Sequence, residues 1–336
     1  MRYRLLFFYI LFVVLFPACS GKQYFNPLVT YPVSTSSYSG KIIDLTRDGA
    51  TLNNHAYIGK NGINYTIQLS NGYRFLSENS QYRLSSNPEG VLNVIDKRTR
   101  KSVRAVALHL PVVSASISHG LIAYILNNNT FGLYRISDNK KIFENRSERT
   151  FAIDTRSASP MFIDNLVVMP MLDGKLIIVD IHNSENTKVI YLSSSKVFNN
   201  IIYLSRIADT LVAATPHKII TIGSNGKYDY SANISEVTVT HDSIYLFTKE
   251  GNILKLDTSL TLQVSKKFKF AHFAVATAFQ GKVYALDQQG SLIVLSSDLK
   301  RSKVYALGAV KRPAFITGSK LYKDGQIIDL SKLGYE

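Results

Sequence analysis

An all-β fold, a ring of four-stranded blades, follows from three observations on the chain. One phrase recurs: a turn and then an aliphatic strand, written LDGKLIIVD from Leu172 to Asp180 and again as KEGNILKLD, QQGSLIVLS and KDGQIIDLS. It recurs at a nearly fixed period. No extended segment past residue 40 keeps the 3.6-residue apolar spacing of a helix, whereas apolar runs of four to seven residues between Gly, Asn, Asp and Ser continue to the C-terminus.

The period is measured from the turn residue that stands two before one aliphatic strand position and five before another. These anchors fall at Gly90, Phe131, Gly174, His217, Gly251, Gly290 and Gly325, with separations of 41, 43, 43, 34, 39 and 35 residues. That spacing matches the four-stranded blade of a β-propeller. Gly90, Gly174, Gly251, Gly290 and Gly325 are the repeat turns, because glycine alone enters the left-handed conformation of such hairpins without a Cβ penalty. Ahead of each hairpin stands another apolar stretch, such as PVVSAS, PMFI, FAVATAF or PAFITG, which supplies the innermost strand. A single blade cannot bury both faces of its sheet, so neighbouring blades pack face to face around an axis.

Seven anchors make seven blades the preferred count. The 50 residues between Gly40 and Gly90, which include AYIGKNGINYTIQL, leave room for an eighth. The phrase SGKIIDLTRDG, Ser39 to Gly49, resembles the C-terminal DGQIIDLSKLG, Asp324 to Gly334. It is expected to complete the last blade, so that N- and C-terminal strands close a propeller spanning residues 40–336.

The chain ahead of that domain reads as an export signal, residues 1–18. Arg2 and Arg4 precede twelve unbroken apolar residues, Leu5 to Phe16, and FPACS follows. Twelve residues make a helix of about 18 Å, short of the roughly 30 Å hydrocarbon core of a bilayer. Cys19, the chain's single cysteine, cannot form an internal disulfide. Its place after Ala18 resembles a bacterial lipobox, which implies acylation of Cys19; an ordinary secretory signal cleaved nearby, or an uncleaved anchor, is the alternative. In the enterobacterial sorting rule for lipoproteins, Ser20 at the next position implies the outer membrane, facing the periplasm. Residues 19–39, rich in hydroxyls and without an acid, read as a flexible tether.

Charge points to surfaces, not to a site. The formal charge of +15 loses Arg2 and Arg4 on processing and becomes +13, a basic surface that would sit against anionic lipid or near acidic polymers. Lys and Arg are spread along turns and the chain is exported, which together argue against nucleic acid and favour a solvated basic surface.

The strand, Asp-Gly or Glu-Gly turn, strand, Asp phrases, together with the lipobox, resemble the PQQ-like β-propellers, a family that includes the BamB lipoproteins of the outer-membrane β-barrel assembly machine. The resemblance implies a protein-holding scaffold in envelope assembly, with that machine as a candidate partner. It does not imply the cofactor of the quinoprotein branch, whose docking motifs carry Trp and commonly a vicinal disulfide. This chain has no Trp and one Cys.

No catalytic constellation is legible, and no cofactor or metal is expected. The seven histidines, His55, His109, His119, His182, His217, His241 and His272, are scattered without metal-ligand spacing. Asp96, Asp180 and Asp257 each end the second hairpin strand, where a carboxylate bonds the backbone of the following turn. Copies on several blades suit structure better than catalysis. Three functional readings remain: a lipid-anchored scaffold, an enzyme or small-ligand binder at the central channel, and a basic lipoprotein that attaches to cell-wall or surface glycan. Polar groups at a channel mouth favour the second, and an apolar patch on an outer edge favours the first.

Overall fold

A computed structural model describes residues 23–150, 153–154, 156–194 and 198–336, so the signal segment and Cys19 lie outside it. The described residues form eight antiparallel four-stranded sheets. Blades 1 to 7 occupy residues 42–64, 74–107, 112–146, 161–191, 203–231, 234–267 and 273–306; blade 8 combines residues 315–329 with Thr35–Ser37. Each blade begins at the axis, where first strands of adjacent blades meet, and ends at the rim.

Burial falls from the inner strands of each blade to the rim. Tyr82–Ser86, Leu121–Leu126 and Lys282–Asp287 are buried on both faces, whereas rim strands such as Thr187–Tyr191 and Gly226–Ser231 are largely exposed. The buried apolar residues divide into eight clusters, one in each cleft between neighbours, including the cleft between blades 8 and 1. The cleft between blades 2 and 3 holds 14 buried apolar residues and that between blades 1 and 2 holds five, so blade 1 is the thinnest sector. Polar contacts supplement it. Arg83, fully buried, donates to the carbonyls of Ile67 and Gln68 at 3.1 Å and lies 5.5 Å from the centre of the Tyr57 ring.

The count of eight, which the sequence left room for, replaces the preferred seven. One backbone bond repeats in every blade: the turn residue before the third strand accepts from an N–H shortly past the fourth. The acceptors are His55, Gly90, Asn129, Gly174, His217, Gly251, Gly290 and Gly325, at 2.8–3.1 Å. His55 is the eighth anchor, written without glycine. It takes φ 66° itself, while Asn53 and Asn54 accept from the backbone N–H groups of Lys41 and Ala56. In blade 3 the anchor is Asn129, φ 66°, two residues before the Phe131 that the spacing suggested; Phe131 lies inside the strand Thr130–Arg135 and packs on Phe143. Asparagine tolerates this left-handed position better than other residues with a side chain.

Ring closure also differs from the expectation. Ile42–Leu45 turns directly at Thr46–Gly49 into Ala50–Leu52 and so belongs to blade 1. The closing strand is Thr35–Ser37, antiparallel to Gln326–Asp329, and it comes from the segment assigned to the tether. More of that segment is bound to the rim. Phe25 packs edge-on against Phe268 between blades 6 and 7, Tyr31 pairs with Tyr305 at the outer edge of blade 7, and Val33 joins the cluster between blades 7 and 8. Apolar side chains every few residues hold the strap down.

Candidate functional site

Side chains reach across the axis. The turn Thr46–Gly49 of blade 1 projects Arg47 across the channel, where its Nε donates to the Ile202 carbonyl at the entry to blade 5 and its Nη1 pairs with Glu236 of blade 6. Between blades 3 and 4, Arg156 donates to both carboxylate oxygens of Asp154, at 2.8 and 2.6 Å, and also to the Ser235 carbonyl. Four parts of the ring are tied by two guanidiniums. Fork-shaped donors suit this task, since each satisfies a carboxylate and a carbonyl at once.

Two cavities border this network. One, of about 420 Å³, is bordered by Arg47, Asp48, Lys60, Glu78, Ser159 and Tyr203 among others. The second, of about 320 Å³, lies against Asp44, Arg156, Glu236 and the inner strands of blades 7 and 8. In the first, the Ser159 hydroxyl donates to Asp48 at 2.5 Å. Burial raises the Asp48 carboxyl above its ordinary range, with Ser159, Lys60 and Arg47 opposing. Burial acts on Asp154 in the same direction, but the hydrogen bonds and charge of Arg156 outweigh it and hold that carboxyl low. Tyr203 is pushed up to about 12, chiefly by burial. The two carboxyls in one channel are thus driven apart.

A second candidate surface lies at the rim. On the outer strands of blades 4 and 5, Val189, Tyr191 and Tyr228 are exposed, Tyr191 at 62%, and Phe198 stands exposed on the connection between these blades. The Lys175 ammonium lies 5.4 Å from the Tyr191 ring centre, and Lys227 reaches the Tyr191 carbonyl at 3.4 Å. An aromatic patch edged by lysines on an unpaired strand edge suits a protein partner.

Neither surface contains a residue singled out as a candidate from the sequence. The repeat glycines lie in turns: a Cβ on Gly90, Gly174, Gly251 or Gly290 would stand within 2.4 Å of an atom in the loop that follows the blade, whereas Gly325 has open space around it. Asp96, Asp180 and Asp257 accept from backbone N–H groups of the turn that follows, at 2.7–3.0 Å. His119 and His182 border one cavity between blades 3 and 4. Among the described residues no group of three or more His, Cys, Asp or Glu is placed to hold a metal, and no helix is long and apolar enough to cross a membrane. Arg47 and Asp48 carried no distinguishing signal, since RDG reads like the DG turns of the other blades.

Comparison with solved structures places the architecture. BamB from Moraxella catarrhalis superposes with a TM-score of 0.68, covering 89% of this chain and 98% of that one at 15% identity. In fold, the chain is a BamB-like propeller. Sqt1 from Saccharomyces cerevisiae superposes with a TM-score of 0.64 at 10% identity over 89% of this chain and 98% of its own, so the BamB-like ring is shared with proteins of distant sequence. By sequence, the chain is similar to the plasminogen-binding protein PgbB in two strains of Helicobacter pylori, 28% identical over a gapped alignment 375 positions long that covers 96% of this chain and 68% of PgbB. No family model matches.

Proposed function

We propose that the chain is a lipid-anchored protein of the bacterial envelope whose BamB-like propeller holds other proteins. The observation that carries this reading is the rim of blades 4 and 5, where Val189, Tyr191, Phe198 and Tyr228 present apolar area on unpaired strand edges. The chain already uses strand addition at its own rim, with Thr35–Ser37 in blade 8 and Tyr31 on blade 7, so blade edges of this molecule accept an extended segment. The plasminogen-binding name of the Helicobacter pylori relatives supports a protein-binding role. Acylation at Cys19, the outer membrane and the β-barrel assembly machine belong to this proposal.

An anchor raises the local concentration of whatever the rim binds. The test is crosslinking in the native envelope followed by affinity purification of the full chain beside Cys19→Ala, with plasminogen binding measured on the same preparations. Recovery of an envelope complex that weakens without the anchor supports the assembly role; plasminogen capture supports an extracellular partner. Absence of any protein partner contradicts both.

One observation favours a second reading, a small-ligand binder at the axis. Asp48, raised toward its neutral form and bonded to Ser159, borders the 420 Å³ cavity beside Lys60 and Tyr203. A ligand that raises the thermal midpoint of the native chain but not of Asp48→Asn establishes it.

A further inference from the structure

The strap that closes the ring also marks one side of the disc. Between the points where Phe25 enters the cleft of blades 6 and 7 and Tyr31 pairs with Tyr305, Leu28 and Val29 stand out from the rim, Leu28 fully exposed. Phe270 is exposed two residues past Phe268, the ring on which Phe25 packs, with the Lys269 ammonium 4.9 Å from its ring centre. The cations of this edge include Lys267 at the end of the rim strand of blade 6, Lys269 just past it and Lys303 on blade 7, the last 4.2 Å from the Tyr31 ring and donating to the Glu336 carbonyl. Glu336 is itself ion-paired to Arg301, and the strap from residue 23 to 39 contains no acid.

Exposed apolar side chains on an edge that also carries lysines and aromatic rings match the composition of a bilayer interface, with hydrocarbon below phosphate. We infer that the rim of blades 6 and 7 rests on an anionic phospholipid surface, Leu28 and Val29 inserted between headgroups, so that the disc stands on edge. This deepens the membrane attachment proposed above. Phe25 is six residues from Cys19, a reach of about 20 Å at full extension, so an acyl chain there would bring this part of the rim close to the bilayer. In a ring of eight, the cleft of blades 4 and 5 is a quarter turn from that of blades 6 and 7, so with the disc on edge the aromatic edge faces sideways, clear of the lipid and free for a protein.

The experiment uses the full chain extracted from bacterial membranes and returned to vesicles of phosphatidylcholine, with or without phosphatidylglycerol. An environment-sensitive dye is attached to a cysteine at Val29 (Val29→Cys) or at Tyr191 (Tyr191→Cys), and the chain without an added cysteine gives the background from Cys19. On vesicles with phosphatidylglycerol, the Val29 dye is expected to shift to the blue and to be quenched by nitroxide lipids, while the Tyr191 dye stays in water. Lys267→Ala and Lys269→Ala each weaken binding to these vesicles about five-fold, less at high salt. A Val29 dye that remains in water, or a Tyr191 dye that shifts equally, overturns the inference. Mass spectrometry of the N-terminal peptide reads acylation separately: an unmodified Cys19 with a quenched Val29 dye removes the anchor and keeps the oriented rim.

Discussion

The backbone N–H of Tyr38 donates to the carbonyl of Gly325 across 3.0 Å, two residues near opposite ends of the chain. It is the same bond that Leu108 makes to Gly90 and Leu307 to Gly290 inside single blades, so closure reuses the internal geometry of the repeat. The Tyr38 ring adds an edge-on contact with Tyr322, 5.8 Å between centroids. Tyr38→Pro removes both and is expected to cost roughly 2–3 kcal/mol. Its denaturation midpoint should fall, and amide exchange should accelerate first in blade 1, where the apolar clefts are smallest.

Two glycines of the same repeat should respond differently to alanine. Gly290 and Gly325 share a positive φ, 90° and 86°, but a Cβ on Gly290 would overlap the Gly308 carbonyl, whereas Gly325 has nothing within 4 Å. Gly325→Ala carries only the left-handed penalty, about 1–2 kcal/mol. Gly290→Ala must also displace backbone, and its loss measured by chemical denaturation should be larger.

Breaking the bond across the axis should strand a charge. Arg47→Met leaves the Glu236 carboxylate, 6% exposed, without its guanidinium, at a cost of about 3 kcal/mol. The pair Arg47→Met with Glu236→Met should regain much of that loss, and a double-mutant cycle separates the coupling from lost packing.

The two channel carboxyls set opposite pH dependences. Asp154 is held low, so its contribution is present above the ordinary carboxylate range and is lost as pH falls through its folded value. Asp48 is raised, so its contribution is present below that range and is lost as pH rises through its folded value. Asp48→Asn should therefore leave stability unchanged in acid and raise it near neutrality, by up to about 1 kcal/mol. Asp154→Asn should lower stability at neutral pH and flatten the acid limb of the curve.

Legibility in the sequence followed locality. Blades whose turn is Asp-Gly, Glu-Gly or Gln-Gly were readable because one hairpin carries both the turn chemistry and the strand alternation. Blade 1 was not, since His55 supplies the left-handed residue and Asn53 and Asn54 the turn bonds without glycine. The closing strand Thr35–Ser37 reads Thr-Ser-Ser, fully exposed, and its place is set by pairing with Gln326–Asp329 almost 300 residues away. Arg47, Asp154, Arg156 and Glu236 carry no shared spacing, because only closure of the ring brings blades 1, 5 and 6 and the entry to blade 4 to one axis.

The rim of blades 4 and 5 offers the most direct measurement. Crosslinked partner recovery from the native envelope is compared among the unaltered chain, the double variant Tyr191→Ala with Tyr228→Ala, and Asp48→Asn. Both tyrosines are exposed, so the double variant should keep its thermal midpoint and lose the partner, while Asp48→Asn keeps the partner. Equal recovery from all three, or loss with Asp48→Asn alone, would contradict a protein-holding rim and move function to the channel.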